Sequence, residues 1–173
     1  MSDEQFVEGQ LQDDRPTLDL DLQVEFSLAD VPVHADDVER YVRAALHTVG
    51  MQDDCDLAVR LVDTAESHAL NHEYRGKDKP TNVLSFASDI PDEIVEMIGV
   101  RSLGDLVICL PVVLAEAQAQ AKPVVHHLAH LIVHGTLHLL GYDHETGEDD
   151  AAHMEGLEIG TMARLYLPNP YAD

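Results

Sequence analysis

Three histidines in the run HGTLHLLGYDH, His134, His138 and His144, constrain this chain more than any other feature. His134 and His138 stand four residues apart in an apolar, helix-forming stretch. Both imidazoles therefore project from one helix face about one turn apart. Gly141 then lets the chain leave the helix, because glycine accepts the left-handed conformation that commonly ends one. His144 follows three residues later, where the returning chain can close a three-nitrogen site. Three neutral imidazoles with a fourth position open to water are the donor set of a catalytic zinc centre. A histidine-rich helix face without metal is the plainer reading of the same spacing.

Around this motif the patterning describes one α+β domain. Residues 1–17 are polar and acidic without periodicity, and read as a flexible extension. Order begins with the alternation Leu18, Leu20, Leu22, Val24 and Phe26, the signature of a half-buried strand. An amphipathic helix over 36–49 ends at Gly50, and a second strand over 57–62 leads to Thr64 as N-cap of a helix through His72. Two further strands are predicted at 82–87 and 103–110, with an irregular stretch between them. Pro111 suits the first turn of a helix to about residue 120. Pro123 opens the histidine-bearing helix over 124–140, and a last helix over 148–165 stops before Pro168 and Pro170. The expectation for 18–173 is a single catalytic domain with a small mixed four-stranded sheet and about five helices. Its metal site would lie on a helix of the C-terminal half and on the turn that follows.

The 173 residues suffice for a core of their own. The longest apolar run, Leu106 to Ala115, is short and interrupted by Pro111, so no membrane span is expected. The acidic start MSDEQFVEGQ is unlike a secretory signal, and two cysteines make no disulfide framework, which together predict a reduced, cytoplasmic protein. Ten Lys and Arg against 33 Asp and Glu give a net charge of −23, which argues against broad attraction to nucleic acid and leaves DNA unexpected. Yet Arg75, Lys77 and Lys79 fall within five positions, a local patch able to receive a phosphate.

The histidine spacing H-x3-H-x2-G-x2-H is that of a metzincin peptidase, with one residue out of place. Those enzymes carry a general-base glutamate directly after the first histidine, and this chain has Gly135. A glycine takes no proton, and general-base catalysis is worth about 10² to 10⁴-fold. A zinc ion still lowers the pKa of water to about 7 and so allows attack on phosphorus as well as on a carbonyl. Phosphodiester attack needs a cation against the non-bridging oxygens, and Arg75 suits that role geometrically.

The segments NHEYRGKDKPTNVLSF (71–86), LGDLVIC (103–109), HGTLHLLGYDH (134–144) and PNPY (168–171) closely resemble the YbeY family of bacterial metal-dependent endoribonucleases. The resemblance implies a zinc-dependent, single-strand-specific endoribonuclease acting in 16S rRNA 3′-end maturation and ribosome quality control. Its implied partners are 16S rRNA and the ribosomal small subunit or its proteins. The family's zinc ligands fall on His134, His138 and His144, and its functional arginine on Arg75. Two positions depart from the family's usual PTDVLSFP: Asn82 replaces the aspartate and Ala87 the proline.

Several residues have two readings. His130 lies one helical turn before His134, either supporting the ligands from behind or as a satisfied polar residue. Asp143 neighbours His144, where it would orient an imidazole, serve as a base or cap the turn. Lys77 and Lys79 are either RNA contacts or solvated loop lysines. The alternative for the whole chain is a non-catalytic, zinc-stabilised ribosome-assembly factor binding RNA or a ribosomal protein. A fourth protein ligand would mark that alternative, since structural zinc sites are closed. A peptidase with a distant carboxylate as base is a third reading, and imidazole sites also accept other divalent transition metals.

Overall fold

Strand β2 (Asp54–Val62) buries every second residue, Cys55, Leu57, Val59 and Leu61, along one face. Strand β4 (Val100–Cys109) goes further, because its last four residues are all buried. Leu106 and Ile108 enter the larger core, while Val107 and Cys109 enter a second cluster with Val62 and Leu84. Successive strand residues point to opposite faces, so such a strand needs cover on both sides.

That cover is what the computed structural model, which describes residues 16–143 and 147–172, provides. The sheet has the order β1-β2-β4-β3, completed by β1 (Leu18–Val24) and β3 (Val83–Ala87). The first three are parallel and β3 runs antiparallel to β4. Helices α1 (Ala35–Thr48), α5 (Val124–Leu139) and α6 (Glu148–Arg164) pack together over the larger core. Helix α2 (Thr64–Arg75) lies against β4, and its Leu70 joins the second cluster on the other side. Helices α3 (Asp92–Ile98) and α4 (Leu110–Ala119) complete the α+β domain and its mixed four-stranded sheet. No helix among the described residues is long and apolar enough to cross a membrane.

The differences from the sequence reading have local causes. Residues 88–102, expected to be irregular, contain α3 and the start of β4. Only Val95 of α3 is buried, and at seven residues the helix is too short for its apolar spacing to stand out; Asp92 and Glu93 favour its N-terminus electrostatically. The N-cap of α2 is Asp63 rather than Thr64, its carboxylate accepting from the Glu66 N–H at 2.9 Å. The helix also runs one turn past His72, so Arg75 is its last residue rather than part of a turn. Strand β1 stops at Val24, although Phe26 still packs against the core. The acidic extension expected over 1–17 falls almost wholly outside the described residues.

Helix α5 comes close against the sheet at Gly135. A Cβ there would lie 2.7 Å from Leu106 Cδ2 and 3.3 Å from Val83 Cγ2. The position after the first histidine thus faces packed strand side chains, with no room for a glutamate. Overpacking costs about 1–3 kcal/mol, and an unpaired buried carboxylate adds to it. Gly135→Glu is therefore expected to lose at least about 2 kcal/mol in chemical denaturation. Wild-type stability in that variant would contradict this close approach.

Candidate metal centre and cleft

Helix α5 is apolar around most of its circumference, and its half-buried histidines His130, His134 and His138 recur every four residues. Pro123 starts the helix and Leu139 ends it; Gly141 then turns the chain with φ of +98°, as its sequence position predicted. Opposite the stripe stands Glu158 of α6, 1% exposed. Its Oε1 lies 2.7 Å from His130 Nε2 and 3.0 Å from His134 Nδ1, and its Oε2 accepts from the Tyr171 hydroxyl at 2.8 Å. A carboxylate so buried is tolerable only when its oxygens are satisfied, as these are.

The second ring nitrogen of His134 faces the other way. Its Nε2 lies 3.0 Å from His138 Nε2, with the rings nearly perpendicular. Two imidazole nitrogens this close cannot both carry protons: at least one presents a lone pair, to the other's N–H or to a cation. A proton on His134 Nδ1, shared with Glu158, leaves Nε2 as that lone pair. The imidazole pair therefore has the chemistry of a metal site. A second group, His130, His134 and Glu158, has ligand atoms within 4.8 Å of one another and could also hold a metal ion. The two arrangements use opposite nitrogens of His134.

His134 and His138 open onto a cleft of about 600 Å³ shared with Tyr74, Arg75, Lys77 and Asp143. Tyr74 is 61% exposed and meets Phe86 of β3 edge-on at 5.2 Å. Of the residues expected beside the histidines or in the basic patch, Arg75, Lys77 and Asp143 line this cleft, and Lys79 does not. The Lys79 carbonyl instead accepts from Asn71 Nδ2 at 2.8 Å. His130 faces Glu158 and a neighbouring cavity of about 340 Å³ that also reaches His134 and Tyr171. His144, the third expected ligand, lies outside the described residues. Asn82 donates through Nδ2 to Glu116 Oε1 at 3.0 Å, where an aspartate would place two carboxylates together.

Sequence reasoning missed Glu158, Tyr171 and Tyr74. A signal for Glu158 was present: it falls in phase with Met154, Thr161, Met162 and Leu165, the buried face of the last helix. Leu157 and Ile159, expected in the core, are only partly buried.

A mixed sheet packed under a helix whose histidines line an arginine-flanked cleft defines a small α+β domain with a histidine and carboxylate group that could hold a metal ion. A family model described as endoribonuclease YbeY matches residues 23–166. The chain belongs to the YbeY family. A protein named endoribonuclease YbeY from Acinetobacter baumannii strain ACICU is 51% identical over 156 residues, covering 90% of this chain and 99% of that one. One of the same name from Alkalilimnicola ehrlichii is 51% identical over 159 residues, covering 91% and 93% respectively. A Thermotoga maritima protein solved in solution shares the fold, with a TM-score of 0.53 at 21% identity, over 90% of this chain and 100% of its own.

Burial alone would raise the Glu158 carboxyl; the hydrogen bonds from His130 and His134, the His134 charge and the Tyr171 hydroxyl outweigh it and hold it at about 2. A carboxyl depressed on folding contributes stability that is full above its ordinary 4.5 and is lost as pH falls toward about 2. Acid unfolding of the metal-free protein should show this component, and Glu158→Gln should lack it. An identical acid slope in both proteins would contradict the assignment.

Proposed function

We propose that this chain is a zinc-dependent, single-strand-specific endoribonuclease of the cytoplasm. Its substrate is 16S rRNA, cut during 3′-end maturation and ribosome quality control, with the ribosomal small subunit or its proteins as partners. Residues 18–173 form the catalytic domain in this reading. RNA as substrate follows from the names of the relatives; the finer role follows from the resemblance of the four motifs.

The observation that carries the reading is the meeting of Arg75 and Lys77, from the end of α2 and the following turn, with His134 and His138 in one cleft. We assign zinc to His134 and His138 through Nε2, with His144 as the third ligand expected from sequence. Glu158 is a poorer ligand, because both its oxygens already have protein partners. Bound there, zinc supplies Lewis acidity and brings the pKa of water to about 7. Arg75 pairs with the non-bridging oxygens of the scissile phosphate and offsets the charge that develops on them. Lys77 adds positive charge beside it. Asp143, the one carboxylate among the described lining residues, accepts the proton of the attacking water. Tyr74 offers an exposed ring at the cleft, on which an unpaired base stacks. Both cysteines are buried in the two core clusters, and neither lines the cleft.

Arg75→Ala should keep fold and zinc but slow cleavage of a single-stranded RNA by about 10² to 10³-fold. Wild-type cleavage by that variant would remove Arg75 from the mechanism. His138→Ala should lose zinc in metal analysis, and retention of a full equivalent would refute its role as ligand. The chain has no tryptophan, so Tyr74→Trp introduces a single reporter. Its fluorescence should be quenched when single-stranded RNA binds; binding seen by anisotropy without quenching would exclude stacking at this ring.

A further inference from the structure

Beyond the ligands themselves, one buried group has no part in the cleavage chemistry. Glu158 carries a charge at 1% exposure, on a helix other than the one bearing the histidines. It is the only carboxylate among the buried residues described, beside a core of largely apolar side chains. A leucine or methionine at this point would pack without any desolvation cost, so the carboxylate needs a reason that packing does not supply.

Its partners give one. Oε1 faces both His130 Nε2 and His134 Nδ1, at 2.7 and 3.0 Å. Oε2 accepts from Tyr171 at 2.8 Å. Tyr171 is itself held in place: its N–H donates to Asn169 Oδ1 at 2.8 Å, and Lys122 Nζ donates to the Pro170 carbonyl at 2.6 Å. The His130 and Tyr171 rings also meet edge-on at 5.4 Å. The C-terminal PNPY turn thus becomes one wall of a polar bracket closed by α5 and α6.

We propose that Glu158 is the positioning residue of the metal centre, held by His130 and Tyr171 so that it keeps the His134 proton on Nδ1 and the Nε2 lone pair towards His138. A carboxylate that receives the second N–H of an imidazole ligand fixes its tautomer and ring orientation and raises its basicity. The bracket reaches the metal only through His134, and Tyr171 in turn reaches it only through Glu158. The inference rests on the reading of His134 and His138 as metal ligands through Nε2.

The test is zinc affinity of the full chain, measured by competition with a chromophoric chelator, together with the visible spectrum of the cobalt-substituted protein. Glu158→Gln keeps the shape and one acceptor oxygen but removes the charge. It should bind zinc about 10 to 100-fold more weakly and leave the form of the cobalt spectrum unchanged. Tyr171→Phe, at a side chain 45% exposed, removes only the hydroxyl and should weaken zinc binding in the same direction by less. Wild-type affinity in a folded Glu158→Gln protein would overturn the proposal. If Glu158→Gln does not fold, Tyr171→Phe decides by the same criterion: weaker zinc binding supports the bracket, unchanged binding overturns it. A cobalt spectrum whose form changes in Glu158→Gln would overturn it as well, by making the carboxylate a ligand. His138→Ala serves as the separate control. If that variant binds zinc as tightly as wild type, the underlying ligand assignment fails, whatever Glu158 does.

Discussion

His134 has two ring nitrogens, and the fold turns them towards different neighbours. Nδ1 meets a carboxylate buried between α5 and α6, and Nε2 meets the Nε2 of His138 at the floor of the cleft. This division requires α5 to sit at a fixed height and rotation over the sheet. Gly135 permits that placement, since a Cβ there would meet Leu106 and Val83. The same glycine that lets the helix settle leaves no place for the peptidase-type glutamate. Packing and chemistry are thus decided by one residue, and the cleft must find its base and its cation elsewhere.

Most of the architecture was legible from periodicity because the central strands β2 and β4 bury their apolar residues in regular order. Alternation along β2 and continuous burial at the end of β4 mark them as strands covered on one face and on both. The short helix α3 went unread because seven residues are too few for a helical period to stand out, and the face shared by Ile94, Met97 and Ile98 stays exposed. The last turn of α2 was hidden for a related reason: HEYR is polar, and what holds it is its place in the helix rather than burial.

The site was legible in part. Spacing alone put His134 and His138 on one face, and the structure brings them within contact. The approach of Arg75 to them is a matter of topology, because α2 and α5 meet the cleft from opposite sides of β3 and nothing local in the sequence encodes it. Glu158 escaped notice because a glutamate at a helical core phase looks like a surface residue until its donors are known. Those donors come from α5 and from the C-terminal turn, 28, 24 and 13 residues away. The family's aspartate at position 82 is an asparagine here, and its amide now donates to Glu116 where a carboxylate would repel it.

An acidic body with a small cationic rim around a histidine floor suits a substrate taken up locally rather than by long-range attraction. The proposed cation lies on the Nε2 side of His134 rather than between His130 and Glu158. X-ray absorption at the zinc edge of the loaded protein measures this directly. Three imidazole nitrogens and one oxygen of water at about 2.0–2.1 Å are the expected result. Two imidazoles with a protein carboxylate in the same shell, unchanged by the loss of the His138 ring, would contradict it.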